Sequence, residues 1–246
     1  YGLVGSEMCI RDREMVMALH RAGIRVIMDV VYNHTSTIEG SVFDRTVPGY
    51  FYRLNQEGKP ANGSGCGNET ASERAMMRRF MVESVCYWTR EYHVDGFRFD
   101  LMGLHDVETM KAIRSALDAI DPTIYIGGEG WAAETPQLSP ELAATKNNLH
   151  KLPGIAAFSD EFRDSLRGTG DTGKGGFICG RSGYEDGILF GLVGGVEHPQ
   201  LVPDSAYHGP AVWAEEPVQF ISYASCHDGL CLCLLYTSPS PRDRTR

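Results

Sequence analysis

Hydrophobic positions along this chain fall into two alternating periods. A helical spacing runs through residues 14–22, "EMVMALHRA", and stops at Gly23, after which "IRVIMDVVYNH" is a β-branched apolar run of strand type. The same order then repeats. A helical stripe of Met77, Phe80, Ser84, Val85 and Trp88 predicts a long helix from about Ser72 to Tyr92, and "VDGFRFDLMG" at 94–103 predicts a second strand. "VETMKAIRSALDAI" predicts the next helix, closed by the breaker "DP", ahead of a third strand within "IYIGGEGW" at 124–131. "GIAAFSDEF" (154–162) and "QFISYASCHD" (219–228) supply a fourth and a fifth. Strands alternating with helices imply an α/β fold with a parallel sheet, either doubly wound or a TIM barrel. The polar, Gly- and Asn-rich stretch at 35–71 reads as a long loop insertion between the first strand and the long helix.

Inside the second strand the period of two puts Val94, Gly96, Arg98 and Asp100 on one face and Phe97, Phe99 and Leu101 on the other. Opposite charges on one face of a covered strand are costly to desolvate unless they satisfy each other, so Arg98 and Asp100 are either a structural ion pair or a site. Context favours a site. Polar residues gather at the C-terminal end of each predicted strand: Asn33 and His34, Arg98 and Asp100, Glu129, then His227 and Asp228. In a TIM barrel that end carries the catalytic residues, so the pattern favours a barrel. A doubly wound nucleotide fold would need a phosphate loop. "GSGCG" (63–67) precedes no suitable unit, and "GTGDTGKGG" (168–176) has Gly175 where a P-loop needs Ser or Thr; both read as loops.

Composition narrows the partners. With 246 residues, 42% hydrophobic and 22% charged, the chain has the make-up of a globular protein with a sizeable core. No apolar run approaches the ~18 residues of a membrane span, so no membrane partner is expected. A net charge of −9 argues against nucleic acid and suits a neutral ligand. Seven cysteines (Cys9, Cys66, Cys86, Cys179, Cys226, Cys231, Cys233) are odd in number and lack metal-ligand spacing, so they read as mostly free thiols and no metal site is assigned. The compartment stays open.

Two carboxylates at neighbouring strand ends, with further acids and histidines around them, are the equipment of retaining glycoside hydrolysis. "DVVYNH" (29–34), "GFRFD" (96–100), "GEGW" (128–131) and "SCHD" (225–228), in that order, resemble the four signature regions of the α-amylase superfamily. The flanks "VPGYFYRLN", "NGSGCGNETASE", "EYHVDGFRFDLMG" and "LPGIAAFSDEFRD", together with "GEGW", resemble the type I pullulanases, which cut α-1,6 links in α-glucans. The resemblance implies Asp100 as nucleophile, Glu129 as general acid/base and Asp228 as transition-state stabiliser. It implies substrate binding by His34 and His227, with Asp29 and Arg98 supporting the site, and it makes Trp131, Tyr32 and Tyr52 candidates for stacking on sugar rings. Arg98 is expected to keep Asp100 ionised, and the charge of Asp100 to keep Glu129 protonated. Strict alternation from Asp29 would turn His34 away, so the chain must leave strand geometry near Tyr32. Gly128 stands where the family often carries an aromatic, which suggests looser packing beside Glu129. No cofactor is required; in many α-amylases the position of Asn33 ligates calcium, so the resemblance admits that ion. The α-glucan substrate is the expected partner. The alternatives are an isoamylase-like or glycogen-debranching relative and, from another class, an inactive glucan-binding fragment.

The match covers roughly residues 13–232, and five strands of a barrel's eight are legible, so a partial (β/α)8 barrel is expected. Residues 1–12 and 233–246 fit no part of the family pattern and read as non-native ends.

Overall fold

A computed structural model describes residues 5–168, 175–201 and 212–228. The chain divides into two compact units, Tyr1–Ile155 and Ala156–Arg246. The middle of the 168–176 loop, Cys231, Cys233 and the 233–246 tail lie outside the described residues.

The first unit opens with α1 (Gly5–Arg21). It begins well before the expected start at residue 14, because neither Gly nor Pro interrupts residues 6–22. Gly23, at φ +74°, ends it. β1 (Ile27–Val30) follows, and the chain leaves strand geometry at Val31, as the placement of His34 required. The 35–71 stretch is far more organised than a polar loop. It contains α2 (Val42–Thr46), bridges pairing Tyr52 with Thr70 and Leu54 with Pro60, and a core of its own in Phe51, Tyr52 and Ala61.

The long predicted helix is α3 (Ala75–Tyr92), ended by His93 in the left-handed region. Its buried stripe is Met77, Met81, Val85, Cys86, Thr89 and Tyr92. The predicted stripe was thus rotated: Phe80 is exposed, and Ser84 and Trp88 are half-buried at the margin. Then come β2 (Gly96–Phe99), α4 (Val107–Asp118) and β3 (Tyr125–Gly128). Asp106 caps α4, its side chain accepting from the Thr109 N–H, from Ser72 Oγ and from Arg78 Nη2. Burial opposes its charge, yet these hydrogen bonds and Arg78 hold the carboxyl below its usual range.

β1, β2 and β3 pair in parallel and in chain order, with Asp29 beside Arg98 and Arg98 beside Gly127. Each strand lying next to its predecessor is the progression of a barrel. Phe97 and Phe99 point into the helical layer and are fully buried, while Arg98 and Asp29 share the opposite face.

In the second unit β4 (Ala156–Phe158) leads into α5 (Asp160–Arg167), capped by the Ser159 hydroxyl, and α6 (Glu185–Leu192) packs on α5 through Gly191 against Phe162. β5 (Phe220–Ile221) pairs in parallel with β4. Its Phe220 stacks on Trp213 and meets the edge of Phe190. All five predicted strands are present. Among the described residues the cysteines are free thiols, and no helix is long and apolar enough to cross a membrane.

Candidate active site

Register assembles the site. Because Asp29 and Arg98 are Cα partners and Gly127 next to Arg98 carries no side chain, the guanidinium can spread over both neighbouring strands. Arg98 Nη1 donates to Asp29 Oδ1 at 2.8 Å and to Asp100 Oδ1 at 3.1 Å, and Nη2 donates to Glu129 Oε1 at 2.7 Å. One arginine thus gathers three carboxylates. Burial opposes its charge, but the Asp29 hydrogen bond and the charges of Glu129 and Asp29 outweigh it and raise its pKa. Arg98 therefore does more than pair with Asp100. It also holds Glu129, which from the sequence was expected to feel the influence of Asp100 alone.

Glu129 is nearly buried, at 8% exposure, and its second oxygen is also occupied. Leu101 N–H donates to Oε2 at 2.9 Å from a backbone at φ +41°. A left-handed leucine is a strained residue, and here the strained backbone aims a donor at the Glu129 carboxylate. The turn after it must press against the β3 end: Gly103 N–H donates to Glu129 O, and a Cβ at Gly103 would lie 2.6 Å from the Trp131 backbone. At Gly128 a Cβ would lie 2.5 Å from Phe99 O. Packing beside Glu129 is therefore tight, not loosened, and Gly128 is what permits it.

Asp100 has a second partner in Asn33, whose Nδ2 lies 2.9 Å from Asp100 Oδ2 and 2.7 Å from Asp100 O. Asn33 Oδ1 lies 2.6 Å from His34 Nδ1. The 68–70 segment holds this corner from behind. Asn68 accepts from Thr35 N–H and donates to Thr35 O, while Thr70 donates from N to Asn33 O and from Oγ1 to Tyr32 O. Glu69, between them, points the other way and is fully buried. It accepts from the N–H groups of Gly63 and Gln137 and pairs with Arg53. These clamps were invisible in the sequence, because their partners lie at irregular separations in loops.

The carboxamide oxygen of Asn33 faces the His34 ring and its nitrogen faces Asp100, and no cluster of three or more His, Cys, Asp or Glu side chains suited to a metal occurs among the described residues. Two of the proposed sugar-stacking rings are committed to packing. Tyr52 is 1% exposed, with its hydroxyl bonded to Ser41 and Thr35. Tyr32 bonds Ser84 and packs on Phe80 and Phe99. Trp131 lines a cleft of about 640 Å³ together with Ala132, Ala133, Pro136, Ala143 and Thr145, and the Lys146 ammonium lies 5.5 Å from its ring centroid.

His105 is a residue that sequence reasoning missed. It is fully buried edge-on to Phe99, and neither ring nitrogen has a hydrogen-bond partner among the described residues. His227 and Asp228 belong to the second unit. Both are exposed there, with His227 Nε2 3.5 Å from Asp228 Oδ2.

The chain is 41% identical over 217 residues to the pullulanase of Bacillus subtilis strain 168, a match covering 88% of the chain and 29% of that protein. The crystal structure of Paenibacillus barengoltzii pullulanase in complex with maltohexaose and α-cyclodextrin superposes with a TM-score of 0.85 at 43% identity, covering 96% of this chain and 36% of that one. The chain belongs to the pullulanase family. The Klebsiella pneumoniae pullulanase is 32% identical over 257 residues, covering 89% of the chain and 23% of its own length. No protein-family model matches. The chain thus spans about a third or less of these relatives, and its fold is part of the α/β barrel of the α-amylase superfamily.

Proposed function

We propose that this chain carries the catalytic centre of a retaining, pullulanase-type hydrolase that cleaves α-1,6-glucosidic links in α-glucans. The observation that carries the reading is the gathering of Asp29, Asp100 and Glu129 on one guanidinium at the C-terminal ends of adjacent parallel strands. In this reading Asp100 attacks the anomeric carbon, the bond to the leaving oxygen breaks with a proton from Glu129, and a glycosyl ester forms on Asp100. Water, deprotonated by Glu129, then releases the sugar with its α configuration retained.

Arg98 and Asn33 each hold one oxygen of Asp100, which fixes the plane of attack. Both oxygens of Glu129 accept from fixed donors, Arg98 Nη2 and the Leu101 N–H, which orient the carboxyl while a second lone pair on an oxygen carries the proton passed to the leaving oxygen of the substrate. Asp29 supports Arg98, His34 and His227 bind sugar hydroxyls, and Asp228 stabilises the transition state. Trp131 offers a ring face to the departing chain. No cofactor enters the reaction.

The test is product analysis with a full-length pullulanase carrying this segment. Pullulan should give maltotriose with α-anomeric reducing ends while unbranched amylose stays nearly intact, and Asp100→Asn should abolish cleavage. Hydrolysis of amylose as fast as pullulan would refute the linkage, preference for glycogen over pullulan would favour an isoamylase-like enzyme, and glucan binding without cleavage would favour the inactive binding protein.

A further inference from the structure

The Asn33 side chain is wholly buried, and its two ends face different partners. One end lies 2.7 Å from Asp100 O and 2.9 Å from Asp100 Oδ2. Both of those atoms are acceptors, so this end must be the NH2 group. The other end is therefore the oxygen, and it lies 2.6 Å from His34 Nδ1. An amide oxygen only accepts. The ring proton of His34 consequently sits on Nδ1, and in the neutral imidazole Nε2 is left as an acceptor.

We propose that Asn33 is a positioning residue that couples the rotamer of Asp100 to the tautomer of His34, so that His34 presents Nε2 to a donating hydroxyl of the glucosyl unit attacked by Asp100. The inference rests on the reading of Asp100 as nucleophile for its catalytic meaning, but the tautomer follows from hydrogen-bond chemistry alone. The backbone beneath both side chains is fixed. Thr70 bonds the carbonyls of Tyr32 and Asn33, and Asn68 brackets Thr35, so Asn33 and His34 rise from a segment held on both sides. A hydroxyl that must donate to Nε2 cannot be replaced by an ether oxygen, which makes a sugar methylated at that hydroxyl a poor substrate.

The experiment has two arms. On the chain labelled with 15N-histidine, two-bond nitrogen–proton correlation spectra at mildly alkaline pH should show His34 as the Nδ1–H tautomer, and Asn33→Ala should abolish that preference. In a full-length pullulanase carrying this segment, Asn33→Ala should lower kcat about 100-fold, the scale of a misplaced reacting group, with KM changed less than about threefold. A merely structural role would reduce the yield of folded enzyme and leave kcat per active site unchanged. Nε2–H in the unsubstituted chain overturns the proposal, a measurement that needs no variant to fold. Nδ1–H together with an active Asp100→Asn enzyme would leave the His34 assignment standing and overturn the nucleophile instead.

Discussion

Acidification should expose the energetic consequence of burying His105. The ring is fully enclosed, pressed edge-on to Phe99, and both nitrogens lack partners among the described residues, so a charge there is unsolvated. Burial first, and then the Arg53 charge, lowers its pKa from 6.5 to about 3. In the unfolded chain the ring takes up a proton below 6.5, whereas in the folded chain it does so only near 3. Between these values the unfolded state binds more protons, so stability falls as the pH falls. At about 1.4 kcal/mol per pKa unit, the loss attributable to this one ring is roughly 3 kcal/mol at pH 4.5 and approaches about 5 kcal/mol near pH 3. Many carboxylates titrate over the same range, so the assay is a difference of differences. Urea unfolding of the chain and of His105→Phe is measured at pH 7 and at pH 4.5. Phenylalanine fills a similar volume against Phe99 and carries no proton, so its stability should fall by about 3 kcal/mol less over that interval. Equal losses in the two proteins, within about 0.5 kcal/mol, would refute the argument that a buried neutral imidazole underlies acid sensitivity.

Gly128→Ala would place a methyl 2.5 Å from Phe99 O, and the resulting overpacking should lower stability by about 1–3 kcal/mol and reduce kcat through displacement of Glu129, read by thermal melts and by pullulan kinetics. Asp106→Ala removes the α4 cap and leaves Ser72 and Arg78 without their acceptor; urea midpoints should report a loss of at least about 2 kcal/mol. Glu69→Gln turns an amide NH2 toward one of the donors that Glu69 now accepts from, and faster amide exchange at Gly63 or Gln137 is the expected readout. In a pullulanase–maltooligosaccharide crystal structure carrying this segment, the carboxyl groups of Asp100 and Glu129 should lie about 5–5.5 Å apart, and a gap of more than about 6.5 Å would point to inversion.

The strands were legible because each couples an apolar run to a turn signal, and the candidate site could be read because its acids stand directly at strand ends. "GFRFD" declares Arg98 and Asp100 on one face through simple alternation, and the 3.1 Å hydrogen bond between their side chains agrees with it. What the sequence hid was every contact made across loops. The α3 stripe was misplaced because Phe80 and Trp88 look like core residues, yet they pack at the margin against Tyr32 and Tyr92 while methionines fill the interior. The 35–71 stretch looked like a solvated insertion because buried Glu69 and Arg53 read as polar; only the fold brings them together. His105 gave no signal at all, since a lone histidine among apolar residues has no periodicity to mark it. The left-handed Leu101 was equally silent, being a residue type that gives no hint of φ > 0.

The convergence of Asp29, Asp100 and Glu129 on Arg98 also leaves charge unbalanced: three acids share that one guanidinium. With Glu129 protonated, Asp29, Asp100 and Arg98 still sum to one formal negative charge. On the proposed mechanism a neutral pyranose would gain little from that excess, but a ring acquiring oxocarbenium character would be drawn toward it, so the attraction would grow along the reaction coordinate. Cationic imino-sugars that mimic that ring should therefore bind more tightly than neutral sugars of the same outline, with an advantage that shrinks as their nitrogen loses its proton.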